Sequence, residues 1–202
     1  PLYSSAASDV YKRQDYMDSF RYPLAGEFSF RRDVLNDIRI PSDWSLEVGV
    51  LSEMYRNYAN NRLCQVDIAD NYDHKHQSLS VNDESKGLSK MSIDIAKGLF
   101  RKLATQGVIF SQETFRSIKA TYYRKALDVI ENCHNDAVMN GLSLDVHEEE
   151  KAVEMFAQNI IKAGEIFTAI PMERPFLPSW NRVVSAIPDI YDQLIEAVDK
   201  DL

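Results

Sequence analysis

The helical apolar pattern from Ser89 almost to the end of the chain limits the possible folds most. Apolar residues recur there every three to four positions in four segments, which is the spacing of amphipathic helices. We predict that these helices start at Ser89, Ser111, Asp145 and Ser179, because each of these residues can cap a helix. The predicted stops are Gly107, Asn140-Gly141 and Pro171, with a kink at Pro188 in the last helix. This half of the chain therefore predicts a helical unit, with a proline-punctuated linker over residues 171–178.

The predicted helices assign particular side chains to the core. The first helix would bury Ile95, Leu99 and Leu103, and the third Val153, Phe156, Ile160 and Phe167. The second would bury Phe115, Ile118, Tyr122, Val129 and Cys133. Cys64 and Cys133 have no metal-type spacing, so both are predicted to be buried thiols of a cytoplasmic protein.

The region from Asp15 to Ser80 mixes short elements with loops. A short helix is predicted over residues 31–38 and a longer one over residues 46–58, where apolar residues recur at helical spacing. Residues 64–70 alternate between apolar and polar, which predicts a half-buried strand. The overall prediction is mainly α with a few short strands.

Composition excludes several functional classes. The formal net charge is -8, so no basic footprint favours nucleic acid. No apolar run approaches the roughly 20 residues of a membrane span. Glycine is scarce, at 7 residues, and neither GxGxxG nor GxxxxGK[ST] occurs, which argues against a complete Rossmann or P-loop enzyme.

The densest cluster of chemically versatile side chains is the segment of residues 72–77 (YDHKHQ), directly after the predicted strand. Histidine is a common metal ligand, and a neighbouring carboxylate can fix its tautomer. His74 and His76 are two apart, so on an extended segment both could face one ligand. The alternative is a solvated polar loop, which spacing alone favours.

Three further positions could contact a substrate. Glu47 lies near a predicted helix start, where the dipole stabilises a carboxylate, and it could accept a hydrogen bond from a substrate hydroxyl. Trp44 could form a wall for a sugar, and Gly26 could allow close approach of a ligand to the backbone. Each has a structural alternative: a helix-capping acid, a core aromatic and a turn glycine.

The order of the motifs adds specificity that none has alone. Residues 21–29 (RYPLAGEFS), 43–49 (DWSLEVG), 72–77 and 87–96 (GLSKMSIDIA) follow one another as in the glucosyl-3-phosphoglycerate synthases, which this chain resembles from about Asp15 to its end. These are retaining glycosyltransferases of the GT-A type. The resemblance implies transfer of glucose from UDP-glucose to 3-phosphoglycerate, with Mg²⁺ or Mn²⁺.

The resemblance also implies roles for individual residues. His74 matches a metal-binding histidine, and Glu47 an acidic residue of the acceptor pocket that we take as the catalytic candidate. The implied acceptor-binding residues are Gly26, Glu27 and His76, and Trp44 is added to them as a candidate from its residue type. Ser45 departs from the pattern, because a glycine is expected there.

Three parts of the chain are expected. Residues 1–14 look like a translated sequencing adapter, residues 15–80 like the C-terminal part of a GT-A catalytic domain, and residues 81–202 like a helical C-terminal subdomain. The strands that bind the nucleotide and an internal DxD motif are expected upstream of Asp15, so the chain alone is expected to be inactive.

Two other functions remain open from the sequence. One is a helical interaction or oligomerisation module, with a homodimer as its simplest form. The other is a small metal-dependent phosphohydrolase of the all-helical His/Asp kind. Such an enzyme needs several His and Asp residues distributed over its helices, and this chain has only four histidines. Whether Glu47 and His74 converge on one pocket would separate the transferase from the interaction module.

Overall fold

The structure is a computed structural model that describes residues 15–58, 62–69, 77–80, 83, 85–173 and 176–201. Within these residues the chain is mainly α, as predicted. The helices are α1 (Arg32–Asp37), α2 (Leu46–Asn57), α3 (Gly87–Ala104), α4 (Gln112–Met139), α5 (Val146–Ala169), α6 (Trp180–Ala186) and α7 (Ile190–Asp201).

The core of the helical unit lies where α5 packs against both α3 and α4. Four phenylalanines meet there with ring centroids 5.0–6.5 Å apart: Phe100, Phe110, Phe115 and Phe167. Phe115 is 1% exposed, and a Cβ added at Gly164 of α5 would overlap its ring. Glycine at that position lets α5 approach the aromatic cluster closely.

A second, smaller core holds the N-terminal region. Val34 and Ile38 pack with Val50 and Met54 of α2. The α2 helix also packs on α3, and α1 contacts α6. The N-terminal region is thereby attached to the helical unit through α3 and through the last part of the chain.

Local capping sets several helix ends as the sequence predicts. The Ser111 side chain accepts a hydrogen bond from the backbone N–H of Thr114, and the Thr114 side chain accepts one from the Ser111 N–H in return. The Asp145 carboxylate accepts from the N–H groups of His147 and Glu148. These caps satisfy N–H groups that the first turn of a helix leaves unpaired.

The first predicted helix start is displaced. The helix α3 begins at Gly87, so Ser89 lies inside it and is 1% exposed. The start is set by a tertiary contact, because the Leu88 N–H donates to the Ser78 carbonyl at 2.9 Å. In addition, Pro188 separates α6 from α7 where we predicted a kink in one helix.

The predicted strand over residues 64–70 is wrong for the part that the structure describes. Residues 63–69 carry no strand, and the side chains of Val66 and Ile68 are more than 60% exposed. A strand is stabilised by hydrogen bonds to a partner strand, and no described segment pairs with this one. Cys64 is accordingly exposed, contrary to the prediction that it is buried.

Two predicted helix faces also need correction. Cys133 on α4 is exposed, because almost all of α4 after Ile130 extends beyond the side chains that pack against it, and Val129, just before Ile130, is 57% exposed. On α3, the fully buried face carries Ile93 and Phe100. The predicted Ile95, Leu99 and Leu103 are half-buried.

Candidate functional site

The turn that precedes α2 is held by a buried carboxylate. Asp43 accepts hydrogen bonds from the backbone N–H of Ser45 at 3.0 Å and from the Ser45 hydroxyl. Its other oxygen accepts from the Arg101 guanidinium at 2.9 Å. The Asp43 side chain is fully buried, and that of Arg101 is 6% exposed. A turn with this many fixed bonds has little freedom to change shape.

Helix α3 supplies two more buried cations beside Arg101. Lys97 contacts Asp94 at 3.2 Å and Glu173 at 3.0 Å. Lys102 pairs with Glu53 of α2, and the second oxygen of Glu53 accepts from the Arg39 N–H at 3.2 Å. We call this set of pairs the charged seam; it comprises Asp43–Arg101, Glu53–Lys102 and Asp94–Lys97–Glu173, and all of its side chains except that of Glu173 are buried.

The electrostatics of the seam keep Asp43 ionised. Burial raises the pKa of the Asp43 carboxyl, but the hydrogen bonds from Ser45 and Arg101 and the Arg101 charge outweigh it, so the pKa lies below its ordinary value. A buried ion pair contributes little net stability over an apolar pair, yet removal of one partner is costly. The seam therefore fixes how its elements sit on α3.

Two glycines allow the segment before α2 to lie against its neighbours. A Cβ added at Gly98 would overlap the Ser45 side chain, and one at Gly49 would overlap the Pro41 ring. Ser45 is 1% exposed under Gly98. The serine that replaces the glycine of the expected family pattern is thus accommodated by the glycine on α3.

The turn presents two of the predicted site residues at one end of α2. Trp44, between the two fixed residues of the turn, is 43% exposed. Glu47 is half-buried in the first turn of α2, where the helix dipole favours a carboxylate. An exposed indole and a carboxylate three residues apart could receive a polar ligand with several hydroxyl groups.

Gly26 and Glu27 lie in an exposed, irregular segment. Gly26 does not have a positive φ, and a Cβ added to it would meet nothing within 4 Å. The described residues thus give no packing reason for a glycine, which leaves the prediction of a ligand-facing loop open.

His74 and His76 lie outside the described residues, so their predicted metal and acceptor roles stay predictions. The same holds for their convergence with Glu47. In the parts of the chain that the structure describes, no three His, Cys, Asp or Glu side chains form a group that could hold a metal. None of the described helices has an apolar stretch long enough to cross a membrane.

Sequence reasoning missed the charged seam. The available signal was a pair of cations, Lys97 and Arg101, four residues apart on a helix whose neighbouring stripe carries Ile93 and Phe100. Cations at that position on an otherwise buried helix require buried carboxylate partners. The sequence alone does not say which carboxylates these are.

Comparison with known proteins finds two relatives that share one name. It is 47% identical over 186 residues to a protein of Persephonella marina, and 42% identical over 203 residues to one of Methanococcoides burtonii. Both are named glucosyl-3-phosphoglycerate synthase, and the matches cover 92% and 100% of this chain. The chain spans about half the length of each, at 46% and 48%. No protein-family model and no solved structure matches.

Proposed function

We propose, since this chain is homologous to about half of each of these glucosyl-3-phosphoglycerate synthases, that it forms the acceptor side of a glycosyltransferase. The proposed reaction transfers glucose from UDP-glucose to 3-phosphoglycerate with retention, with Mg²⁺ or Mn²⁺ as cofactor, in the cytoplasm. The observation that carries the proposal is the 42–47% identity over at least 92% of the chain. The order of the motifs in residues 21–96 agrees with it.

In this proposal the acceptor binds at the start of α2. Glu47 accepts a hydrogen bond from the acceptor hydroxyl, and Trp44 forms a wall beside it. Neither residue needs to act as a nucleophile, because front-face transfer depends on positioning and on charge stabilisation.

The metal would neutralise the diphosphate as the glycosidic bond breaks. His74 is the proposed ligand of this chain, and it would need further ligands from elsewhere. His76, Gly26 and Glu27 are proposed to contact the acceptor.

The acceptor is an anion, and the chain has a net charge of -8. Lys97, Arg101 and Lys102 are engaged with buried carboxylates in the seam. The proposed acceptor phosphate therefore has to be bound by other cations, in this chain or in the other half of the complete protein.

The test is release of UDP from UDP-glucose with Mg²⁺, with and without 3-phosphoglycerate. Two proteins are compared: this chain alone, and a chimera in which the chain replaces the matching half of the Persephonella marina relative. We expect release that depends on the acceptor from the chimera only. The anomeric configuration of the product, measured by NMR, tests retention.

Matched variants identify the residues involved. Glu47→Gln is expected to lower kcat/KM at least 100-fold (about 10²–10⁴-fold for a group of this kind), and His74→Ala to abolish stimulation by the metal. Glu131→Gln, at an exposed position of α4, is the control and should be unchanged. Failure of the chimera to release UDP, although it folds, would overturn the proposal.

A second candidate function is an interaction module that pairs copies of the chain. The observation in its favour is an exposed apolar face on α7, formed by Tyr191, Leu194, Ile195 and Val198. Light scattering after size exclusion would show a dimer, and Leu194→Glu should dissociate it. A monomer at about 100 μM would exclude this candidate.

A further inference from the structure

We infer that Arg101 is a positioning residue for the acceptor site, acting through Asp43 on the turn that presents Trp44 and Glu47. This inference rests on the proposed function. It assigns a role to a side chain that lies one helix away from the residues predicted to contact substrate.

The contact between Arg101 and Asp43 has a fixed geometry. Arg101 donates to one oxygen of Asp43 at 2.9 Å, while the other oxygen accepts from the backbone N–H of Ser45 at 3.0 Å and from its hydroxyl. The guanidinium is held on α3 by its Nε, which donates to the Lys97 carbonyl at 3.3 Å. Both ends of the contact are therefore fixed.

The turn lies directly before the first turn of α2. Asp43 directly precedes Trp44, and Ser45 is the N-cap residue of α2, whose second residue is Glu47. The Ser45 side chain makes no capping hydrogen bond to α2, because its hydroxyl is directed to Asp43. The orientation of the first turn of α2 thus depends on Asp43 and on its partner Arg101.

The Asp43–Arg101 pair is better suited to positioning than to general stability, although removal of one partner is costly. The aromatic cluster and the apolar contacts of α2 already bury the large side chains, and a buried ion pair is a poor source of net stability. Directional, charge-assisted hydrogen bonds are well suited to hold a turn in one geometry. A small misplacement of a binding group is expensive in catalysis.

The experiment compares two isosteric variants in the same seam. Asp43→Asn weakens the contact to the turn, and Glu53→Gln makes the same chemical change in a pair that lies near the other end of α2. Glu53 is 3% exposed and pairs with Lys102, so both variants remove one counter-charge from a buried cation. Arg101→Lys keeps a cation near Asp43, so its effect should lie between those of the wild type and Asp43→Asn.

The first readout does not require activity. In a Trp180→Phe background Trp44 is the only tryptophan, so the fluorescence anisotropy decay of this chain reports motion of the turn. Asp43→Asn should roughly double the amplitude of the nanosecond local motion, and Glu53→Gln should leave it unchanged. Far-UV circular dichroism checks that both variants remain helical.

The second readout is kinetic and uses the chimera. Asp43→Asn should raise the KM for 3-phosphoglycerate on the order of tenfold or more, with the KM for UDP-glucose unchanged. Glu53→Gln should change neither more than about threefold, even if both variants lose similar thermal stability.

The outcomes separate this inference from the proposed function. Equal effects of Asp43→Asn and Glu53→Gln on Trp44 motion or on acceptor KM would overturn the positioning role. A wild-type chimera without transferase activity would overturn the proposed function and, with it, the acceptor part of the inference, while the anisotropy data would still decide whether the pair holds the turn.

Discussion

Helix α3 contributes to two interfaces that are built on different physics. One stripe of it, with Ile93 and Phe100, packs into the aromatic cluster with α4 and α5. Beside it, Arg101 and Lys102 pair with Asp43 and Glu53 of the N-terminal region in the charged seam. The first interface buries apolar surface, and the second pairs charges.

The difference separates stability from positioning. Apolar burial is roughly proportional to area and has little directional preference, so it holds helices together without specifying fine geometry. Ion pairs fix distances and angles at a cost in desolvation. The predicted substrate residues Trp44 and Glu47 lie on the seam side, where geometry matters most.

Phe115→Ala should give the largest effect, because it breaks the apolar interface. Phe115 is 1% exposed and stacks on Phe110 with centroids 5.5 Å apart, so the truncation should cost about 4 kcal/mol of unfolding free energy. Urea denaturation of this chain measures it. Ile109→Ala, at a position that is 83% exposed, should change the value by less than about 0.5 kcal/mol. A loss below roughly 1.5 kcal/mol for Phe115→Ala would mean that the cluster is not the main source of stability.

Glu53→Gln tests the cost of breaking the charged interface. It leaves Lys102 buried beside a neutral amide, so we expect a loss of about 3 kcal/mol. Because the pair is buried, the loss should be nearly the same in 0.1 M and 1 M NaCl, whereas salt screens exposed pairs. The control is Glu148→Gln, whose partner Lys151 lies at 2.7 Å on the surface, with an expected loss below about 0.5 kcal/mol. Strong salt dependence of the Glu53→Gln loss would contradict the burial of the pair.

Gly98→Ala tests the close approach of α3 to Ser45 at the charged seam. The new methyl group would overlap the Ser45 side chain, so we expect a loss of about 2 kcal/mol from overpacking. Ser45→Gly removes the obstacle, and the double variant should recover most of the loss, helped by the higher helix propensity of alanine. Urea denaturation of the single and double variants gives the coupling energy.

A matched control for this pair lies in the aromatic cluster. Gly164→Ala would overlap the Phe115 ring and should be destabilising to a similar degree, but Ser45→Gly should not rescue it. Additive effects of Gly98→Ala and Ser45→Gly would show that the two positions do not touch.

The parts of the fold that local chemistry determines could be predicted from the sequence. Ser111 and Asp145 cap the helices that start beside them. Gly141, with φ +67, follows the C-cap residue Asn140 at the end of α4. These signals act within a few residues, so no tertiary information is needed.

The parts that depend on distant partners could not be predicted. The apolar alternation of residues 64–70 predicts a strand, but a strand also needs a partner that pattern alone cannot supply. Asp43 and Arg101 are 58 positions apart, and each alone reads as a solvated charge. Part of the candidate site, Trp44 and Glu47, was identified from the sequence, but the residues that hold it in place were not.

Tyr16→Phe should give the smallest effect. It tests whether apolar packing alone holds this part of the N-terminal region or whether a buried polar group contributes as well. The Tyr16 ring packs against Phe20 and Tyr55, with centroids 5.1 and 5.0 Å away. Its hydroxyl is buried and has no hydrogen-bond partner among the described residues. An unsatisfied buried hydroxyl is costly, so its removal should stabilise the chain by about 1 kcal/mol at pH 7.

The pH dependence of the same variant gives an independent check. Burial raises the pKa of Tyr16 from 10.0 to about 12, so the folded state retains a proton that the unfolded state loses. The free energy of unfolding of the wild type is therefore independent of this titration below pH 10, and it falls as the pH rises toward 12, by roughly 1 kcal/mol per pH unit. Urea denaturation at pH 9, 10 and 11 should show that Tyr16→Phe loses less stability than the wild type, while Tyr22→Phe, at an exposed position, behaves like the wild type. If Tyr16→Phe were destabilising at pH 7 and had the same pH profile as the wild type, the hydroxyl would have a partner, and polar bonds as well as apolar packing would hold this end of the N-terminal region.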